Sequence, residues 1–123
     1  MAKKVLIVDD EPNIVLSLEF LMKKAGFEVA VARDGEEALA QVAAFGPDLV
    51  LLDVMMPKKS GYEVCEILRA DSSRAGMKIV MLSAKGRDTE VAKGMALGAD
   101  AYVTKPFSTK DLVAQVAGLL NGG

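Results

Sequence analysis

Histidine and tryptophan are absent from this chain, and cysteine occurs once, at Cys65. Without histidine there can be no histidine-based triad and no histidine zinc site. A lone cysteine allows no internal disulfide and fits a reducing compartment. Neither sign of charge dominates: 15 Lys plus Arg face 17 Asp plus Glu, for a formal net charge of −2. That balance predicts neither a polyanion-binding surface nor a polybasic membrane anchor, so direct nucleic-acid and membrane contacts are not expected. Long apolar runs are missing too. The start, Met1-Ala2-Lys3-Lys4 followed by Val5 to Val8, is basic, but its apolar run is too short for a signal-peptide core and meets acids at once. Nothing approaches the roughly 20 apolar residues needed to span a bilayer. A cytoplasmic protein is the expectation.

What is present is a chain of 123 residues, 51% of them hydrophobic, with no repeat, low-complexity stretch or linker. One domain over residues 1–123 is expected, large enough to bury a core. Short β-rich runs alternate with segments of helical period, the pattern of βα units around a parallel sheet. The predicted strands are Val5 to Val8, Glu28 to Ala32, Leu49 to Leu52, Ile79 to Leu82 and Ala101 to Val103. Several are nearly continuous Val, Ile and Leu, as expected where both faces of a sheet are covered.

Helical stripes fall between them. Ile14, Leu18, Leu21, Met22 and Ala25 follow Pro12 and stop at Gly26. Asp34-x-x-Glu37 and Ser60-x-x-Glu63 have the form of capping boxes, leading into Ala38, Leu39 and Val42, and into Val64, Ile67 and Leu68. Gly46-Pro47 ends the second helix. Gly98 ends the fourth, after Val91 and Met95, and Leu112, Val116, Leu119 and Leu120 make the fifth amphipathic. The scattered methionines suit gap-filling in a core.

In a doubly wound sheet, ligands sit at the carboxyl ends of the strands. The positions there read Asp9, Asp10 and Glu11 after the first strand, Asp53 after the third, Ser83 and Ala84 after the fourth, and Lys105 and Pro106 after the fifth. Taken singly, the acids could cap a helix, Asp53 could form a turn, Ser83 could cap, Lys105 could be a solvated loop lysine and Tyr102 a packing aromatic. Together they bring carboxylates, a hydroxyl and an ammonium to one edge. Clustered carboxylates repel unless a hard cation shares them, and Mg²⁺ wants oxygen ligands, completing its shell with water and phosphate. Asp9, Asp10 and Asp53 supply three negative charges against three positive ones on Lys105 and Mg²⁺. Such a near-neutral site can admit a phosphoryl group.

Here the sequence resembles the receiver domain of two-component response regulators, of the single-domain chemotaxis-regulator kind, over essentially its whole length. The matching stretches are Val5 to Pro12, Asp53-Val54-Met55-Met56-Pro57 with Gly61, Met81 to Lys85, Gly98-Ala99-Asp100, and Tyr102 to Phe107. The resemblance implies an α/β, flavodoxin-like doubly wound sheet of five parallel strands in the order 2-1-3-4-5, with five helices. It implies that Asp53 accepts a phosphoryl group from a sensor histidine kinase or histidine phosphotransfer protein, without being an enzyme towards other molecules. Asp10 would bind Mg²⁺ directly and Asp9 largely through water, with Asp53 and the Met55 backbone carbonyl completing the protein ligands. Lys105 and Ser83 would contact phosphoryl oxygens, small Ala84 would leave its N–H open to them, and Lys105-Pro106 would be cis. Ser83 and Tyr102 would form the switch, read by a downstream protein on the face of the fourth helix, fifth strand and fifth helix.

Other features are this sequence's own. Lys58 and Lys59 read as a solvated turn or, alternatively, as an attraction for an acidic kinase surface. Met55 and Lys85 occupy places that tune acyl-phosphate hydrolysis in such domains. Neither can hold an attacking water as a carboxylate or amide would, which predicts a long-lived phosphoryl group. Among rival readings, a haloacid-dehalogenase-type enzyme needs a second acid where Met55 stands. A flavodoxin-like carrier needs Gly, Ser or Thr where Asp9-Asp10-Glu11 stands, and no G-x-G-x-x-G occurs. A pseudo-receiver that is never phosphorylated would have no need of all these groups.

Overall fold

The computed structural model describes residues 2–56, 58–84 and 86–121, so Pro57 and Lys85, both named above, lie outside the described residues. Five strands, β1 (Lys4–Val8), β2 (Glu28–Ala32), β3 (Leu49–Asp53), β4 (Lys78–Ser83) and β5 (Ala101–Thr104), alternate with five helices. These are α1 (Pro12–Lys24), α2 (Gly35–Phe45), α3 (Gly61–Ala70), α4 (Asp88–Ala96) and α5 (Thr109–Asn121). All strand pairs are parallel, in the order β2-β1-β3-β4-β5. The expected doubly wound topology is therefore present.

Between their end residues the inner strands β1, β3 and β4 are apolar because both of their faces are covered. Leu6, Val8, Val50, Leu52, Ile79 and Met81 pack towards Ala38 and Val42 of α2 and Val64, Cys65 and Leu68 of α3. The alternate residues Val5, Ile7, Leu49, Leu51, Val80 and Leu82 pack towards Val15, Leu18 and Met22 of α1 and Leu112 and Val116 of α5. Each fully buried Leu, Ile or Val stabilises the fold by about 1.5–3 kcal/mol relative to exposure. These two layers hold the sheet rigid beneath its carboxyl edge.

Helix ends largely follow the chemistry of their residues. The Ser60 hydroxyl accepts from the Glu63 N–H and the Glu63 carboxylate accepts from the Ser60 N–H, a full capping box. Asp34 accepts from the Glu37 N–H, but Glu37 reaches back one residue further, to the Arg33 N–H. Gly26, Gly46 and Gly98 all take positive φ just after their helices.

Three expectations need correcting. Ile67 and Met95 do not line the core but are largely exposed; the inward positions next to them are Cys65 in α3 and Gly94 in α4. A 3₁₀ turn at Ser72–Arg74, capped by the Asp71 carboxylate, was not anticipated. Strands β3, β4 and β5 each run one residue further than the sequence pattern suggested, because Val54 N–H bonds the Leu82 carbonyl and Lys105 N–H bonds the Ser83 carbonyl. Asp53 and Ser83 consequently end strands instead of starting loops.

Candidate functional site

The residues singled out at the strand ends meet at one edge. Asp9 directly follows β1, Asp53 ends β3 and Ser83 ends β4, in line with Thr104 of β5. Asp9 is fully buried, Asp53 is 3% exposed and Ser83 is fully buried, while Asp10 and Ala84 are exposed. One carboxylate oxygen from each of Asp9, Asp10 and Asp53 lies within 4.8 Å of the others. Oxygens on opposite corners of a magnesium octahedron are about 4.2 Å apart, so one ion could be shared by all three. Their all-oxygen chemistry also suits a hard divalent cation.

Lys105 closes the cluster. Its Nζ is 3.2 Å from Asp9 Oδ2, 3.2 Å from Glu11 Oε1 and 3.5 Å from Asp53 Oδ1. The side chain is only 13% exposed, so it is not a solvated loop lysine. Burial pulls its pKa down, but the charges of Asp53 and Asp9 and hydrogen bonds to Glu11 and Asp9 outweigh this, leaving it above the ordinary lysine value. The Lys105–Pro106 peptide is cis.

Asp53 carries the opposite strain. Burial first, then the Asp9 charge and more weakly Asp10, push its pKa up to about 6, against the pull of Lys105 and the Met55 N–H. The Met55 N–H donates to Asp53 Oδ1 at 3.4 Å, so the backbone after the strand turns back over the carboxylate. Met55's own side chain is exposed. Gly61 permits this turn: a Cβ there would collide with the Asp53 carbonyl and the Val54 Cα. Helix capping does not account for the acids, although Asp9 and Asp53 each accept one nearby backbone N–H. The residue capping α1 is Glu11, which makes no side-chain cap bond, and Asp9 accepts from the Glu11 N–H. Nor does Ser83 cap a helix, since α4 begins after Arg87.

Glu11 had been noted only by position; its pairing with Lys105 puts a fourth carboxylate at the rim. Lys58 is tied towards the start of α2, 4.0 Å from Asp34 and 3.7 Å from Glu36, so part of its charge is already answered within the chain. An apolar cleft of about 490 Å³ opens beside the cluster, bounded by Ile14, Leu18, Ala84, Lys105, Pro106 and Phe107. Tyr102 lies away from the carboxylates, its ring packed against the core on the α4 side of the sheet.

Comparison with known proteins gives a consistent result. The profile of the family "Response regulator receiver domain" matches residues 5–117. The chain is 47% identical over 116 residues to the DNA-binding response regulator MtrA of Mycolicibacterium smegmatis, covering 94% of this chain and 50% of that one. It is 45% identical over 120 residues to the alkaline phosphatase synthesis transcriptional regulatory protein PhoP of Bacillus subtilis, covering 98% of this chain and 49% of that one. It thus spans about half the length of these curated relatives. Among solved structures, the chemotaxis response regulator CheY4 of Vibrio cholerae superposes with a TM-score of 0.91 at 32% identity, over 98% of this chain and 100% of that one.

Proposed function

Since this chain belongs to the response regulator receiver domain family, and is therefore a phosphoryl-accepting switch of two-component signalling, we propose that Asp53 is its acceptor, working with Asp9, Asp10, Ser83, Ala84 and Lys105. The observation that carries this reading is the convergence of three carboxylates within 4.8 Å, with the Lys105 ammonium 3.5 Å from Asp53. In the transfer, an Asp53 oxygen attacks the phosphorus of a phosphohistidine. The P–N bond breaks as the P–O bond forms, and the imidazole leaves on the donor. Little covalent work falls to the protein, so its contribution is positioning and charge neutralisation.

Lys105 faces the oxygens on which charge accumulates, and Ser83 and the Ala84 N–H are disposed to receive the others. Asp9, Asp10, Asp53 and the Met55 carbonyl would hold Mg²⁺, which when bound supplies charge neutralisation at the entering phosphoryl oxygens. Towards other molecules the chain is a regulator; its own chemistry is limited to accepting the group and losing it slowly by hydrolysis. Met55 offers no carboxylate or amide for an attacking water, which supports a long-lived phosphoryl group.

Response regulators interact with histidine kinases, and the donor here is such a kinase or a histidine phosphotransfer protein. The cleft beside Lys105 and Ala84 gives it an approach. Phosphorylation draws Ser83 towards the new oxygens, favours the inward seat of Tyr102 and alters the face of α4, β5 and α5, which a downstream protein reads. Residues 1–123 act as one receiver unit that contacts protein, not nucleic acid or membrane, in the cytoplasm. No helix is long and apolar enough to cross a membrane among the described residues.

Incubation with a small-molecule phosphodonor and Mg²⁺ tests the assignment. The wild type should form a base- and hydroxylamine-labile acyl phosphate and Asp53→Asn should form none; undiminished labelling of the variant would refute it.

A further inference from the structure

The chain has two tyrosines and no tryptophan, and the two tyrosine hydroxyls meet. Tyr62, in the first turn of α3, donates its hydroxyl proton to the Glu90 carbonyl in the first turn of α4 at 3.2 Å. The Tyr102 hydroxyl of β5 stands 3.4 Å from that of Tyr62. The two hydroxyls are within hydrogen-bonding distance, and either can be the donor. Tyr62 therefore joins three elements, α3, α4 and β5.

Both rings are seated. The Lys93 ammonium lies 4.5 Å from the centre of the Tyr62 ring, an attractive arrangement that fixes it from the α4 side. The Tyr102 ring fills the space that Gly94 leaves open beside Met81: a Cβ at Gly94 would come within 2.9 Å of the Tyr102 ring and 2.8 Å of the Met81 sulfur. Tyr102 thus sits between β4 and α4, packed against the core. Burial, followed by the hydrogen bond with Tyr102, raises the Tyr62 pKa and keeps its hydroxyl protonated. One more polar atom is waiting nearby. Glu90 Oε2 is buried with no hydrogen-bond partner among the described residues. It offers an acceptor to a hydroxyl that shifts, so a rearrangement at this seam need not strand a buried donor.

Resting on the reading of Tyr102 as a switch residue, we propose that Tyr62 is the positioning residue of that switch. Its hydroxyl holds Tyr102 in the inward seat between β4 and α4 and ties that seat to the first turn of α4. Because Tyr62, Glu90 and Tyr102 all lie outside the carboxylate cluster, this tether contributes to the balance between the two arrangements whether or not Asp53 carries a ligand. A ligand on Asp53 that favours the inward seat then binds more tightly than it would without the Tyr62 bond, by linkage.

The test is calorimetric titration of the full chain with beryllofluoride in saturating Mg²⁺, using Tyr62→Phe, Tyr102→Phe and the double variant. Tyr62→Phe keeps the ring and its contact with Lys93 while removing the tether. Its affinity should fall about 2- to 10-fold, the span of one neutral hydrogen bond, and it should cause no further fall in the Tyr102→Phe background. Unchanged affinity in Tyr62→Phe overturns the inference. So does an equal fall in both backgrounds, which would mean that Tyr62 merely braces α4. If Tyr102→Phe alone binds like wild type, Tyr102 is not the switch and the inference falls with that reading. If the wild type does not bind beryllofluoride at all, the Asp53 assignment itself fails, which is a separate outcome from loss of the tether.

Discussion

The burial of Asp53 costs stability. Its carboxyl, ordinarily near 3.8, is pushed up to about 6 by burial and by Asp9. Between those two values the folded chain binds more protons than the unfolded one, so stability falls as pH rises through the window, and above pH 6 the full penalty applies. Asp53→Asn removes that charge. In EDTA at pH 7.5 the variant should be more stable than wild type by on the order of 2 kcal/mol, with a smaller margin at pH 5. Urea unfolding at the two pH values measures this; a variant no more stable at pH 7.5 would show that Lys105 already compensates the charge. The sequence made the site residues legible one by one because each stands directly after an apolar run. Tyr62 was not legible in that way. An aromatic in the first turn of a helix is unremarkable until α3 and α4 are placed side by side.

At the scale of elements, two glycines make opposite predictions. Gly61 begins α3 directly against the end of β3, where a Cβ would strike the Asp53 carbonyl and the Val54 Cα. Gly61→Ala should therefore push helix and strand apart, destabilise the chain by about 1–3 kcal/mol and weaken Mg²⁺ binding. Gly118 lies inside α5, with nothing within 4 Å of an added Cβ. Gly118→Ala should stabilise the chain by about 0.5–1 kcal/mol, since alanine is the better helix former, and leave Mg²⁺ affinity unchanged. Chemical denaturation with Mg²⁺ titration tests both, and equal effects at the two positions would contradict the packing described. Elements were predictable where one physical rule dominated, as in the continuous apolar runs of the doubly covered strands and the Ser60–Glu63 box. Prediction failed where neighbours decided. Ile67 and Met95 have core-like side chains but lie on the solvent side of their helices, while Cys65 and Gly94 take the inner positions.

For the molecule as a whole, a metal held by the carboxylate cluster would make metal binding and folding a single equilibrium. A cation shared by Asp9, Asp10 and Asp53 binds the folded chain far better than the unfolded one, since β1 and β3 bring these acids together. At a hundredfold excess over its Kd, Mg²⁺ should add about 2.7 kcal/mol of stability. The gain should be full at pH 7.5 and shrink as pH drops through about 6, where Asp53 takes up its proton. Thermal melts with and without Mg²⁺ at the two extremes check this; identical melting temperatures at pH 7.5 would count against a metal at this site. The overall topology was legible because alternating βα units leave few ways to cover both faces of a parallel sheet. Which strand ends stand close enough to share an ion was not, because distance across a sheet is written in no local stretch of sequence.

Lys105 reaches Asp9 across 96 positions of chain. A ribosome releasing this protein therefore presents the acids of the first strand long before their counter-charge exists. On the proposed role of Lys105, a nascent chain should acquire its complete phosphoryl site only when β5 joins the edge of the sheet.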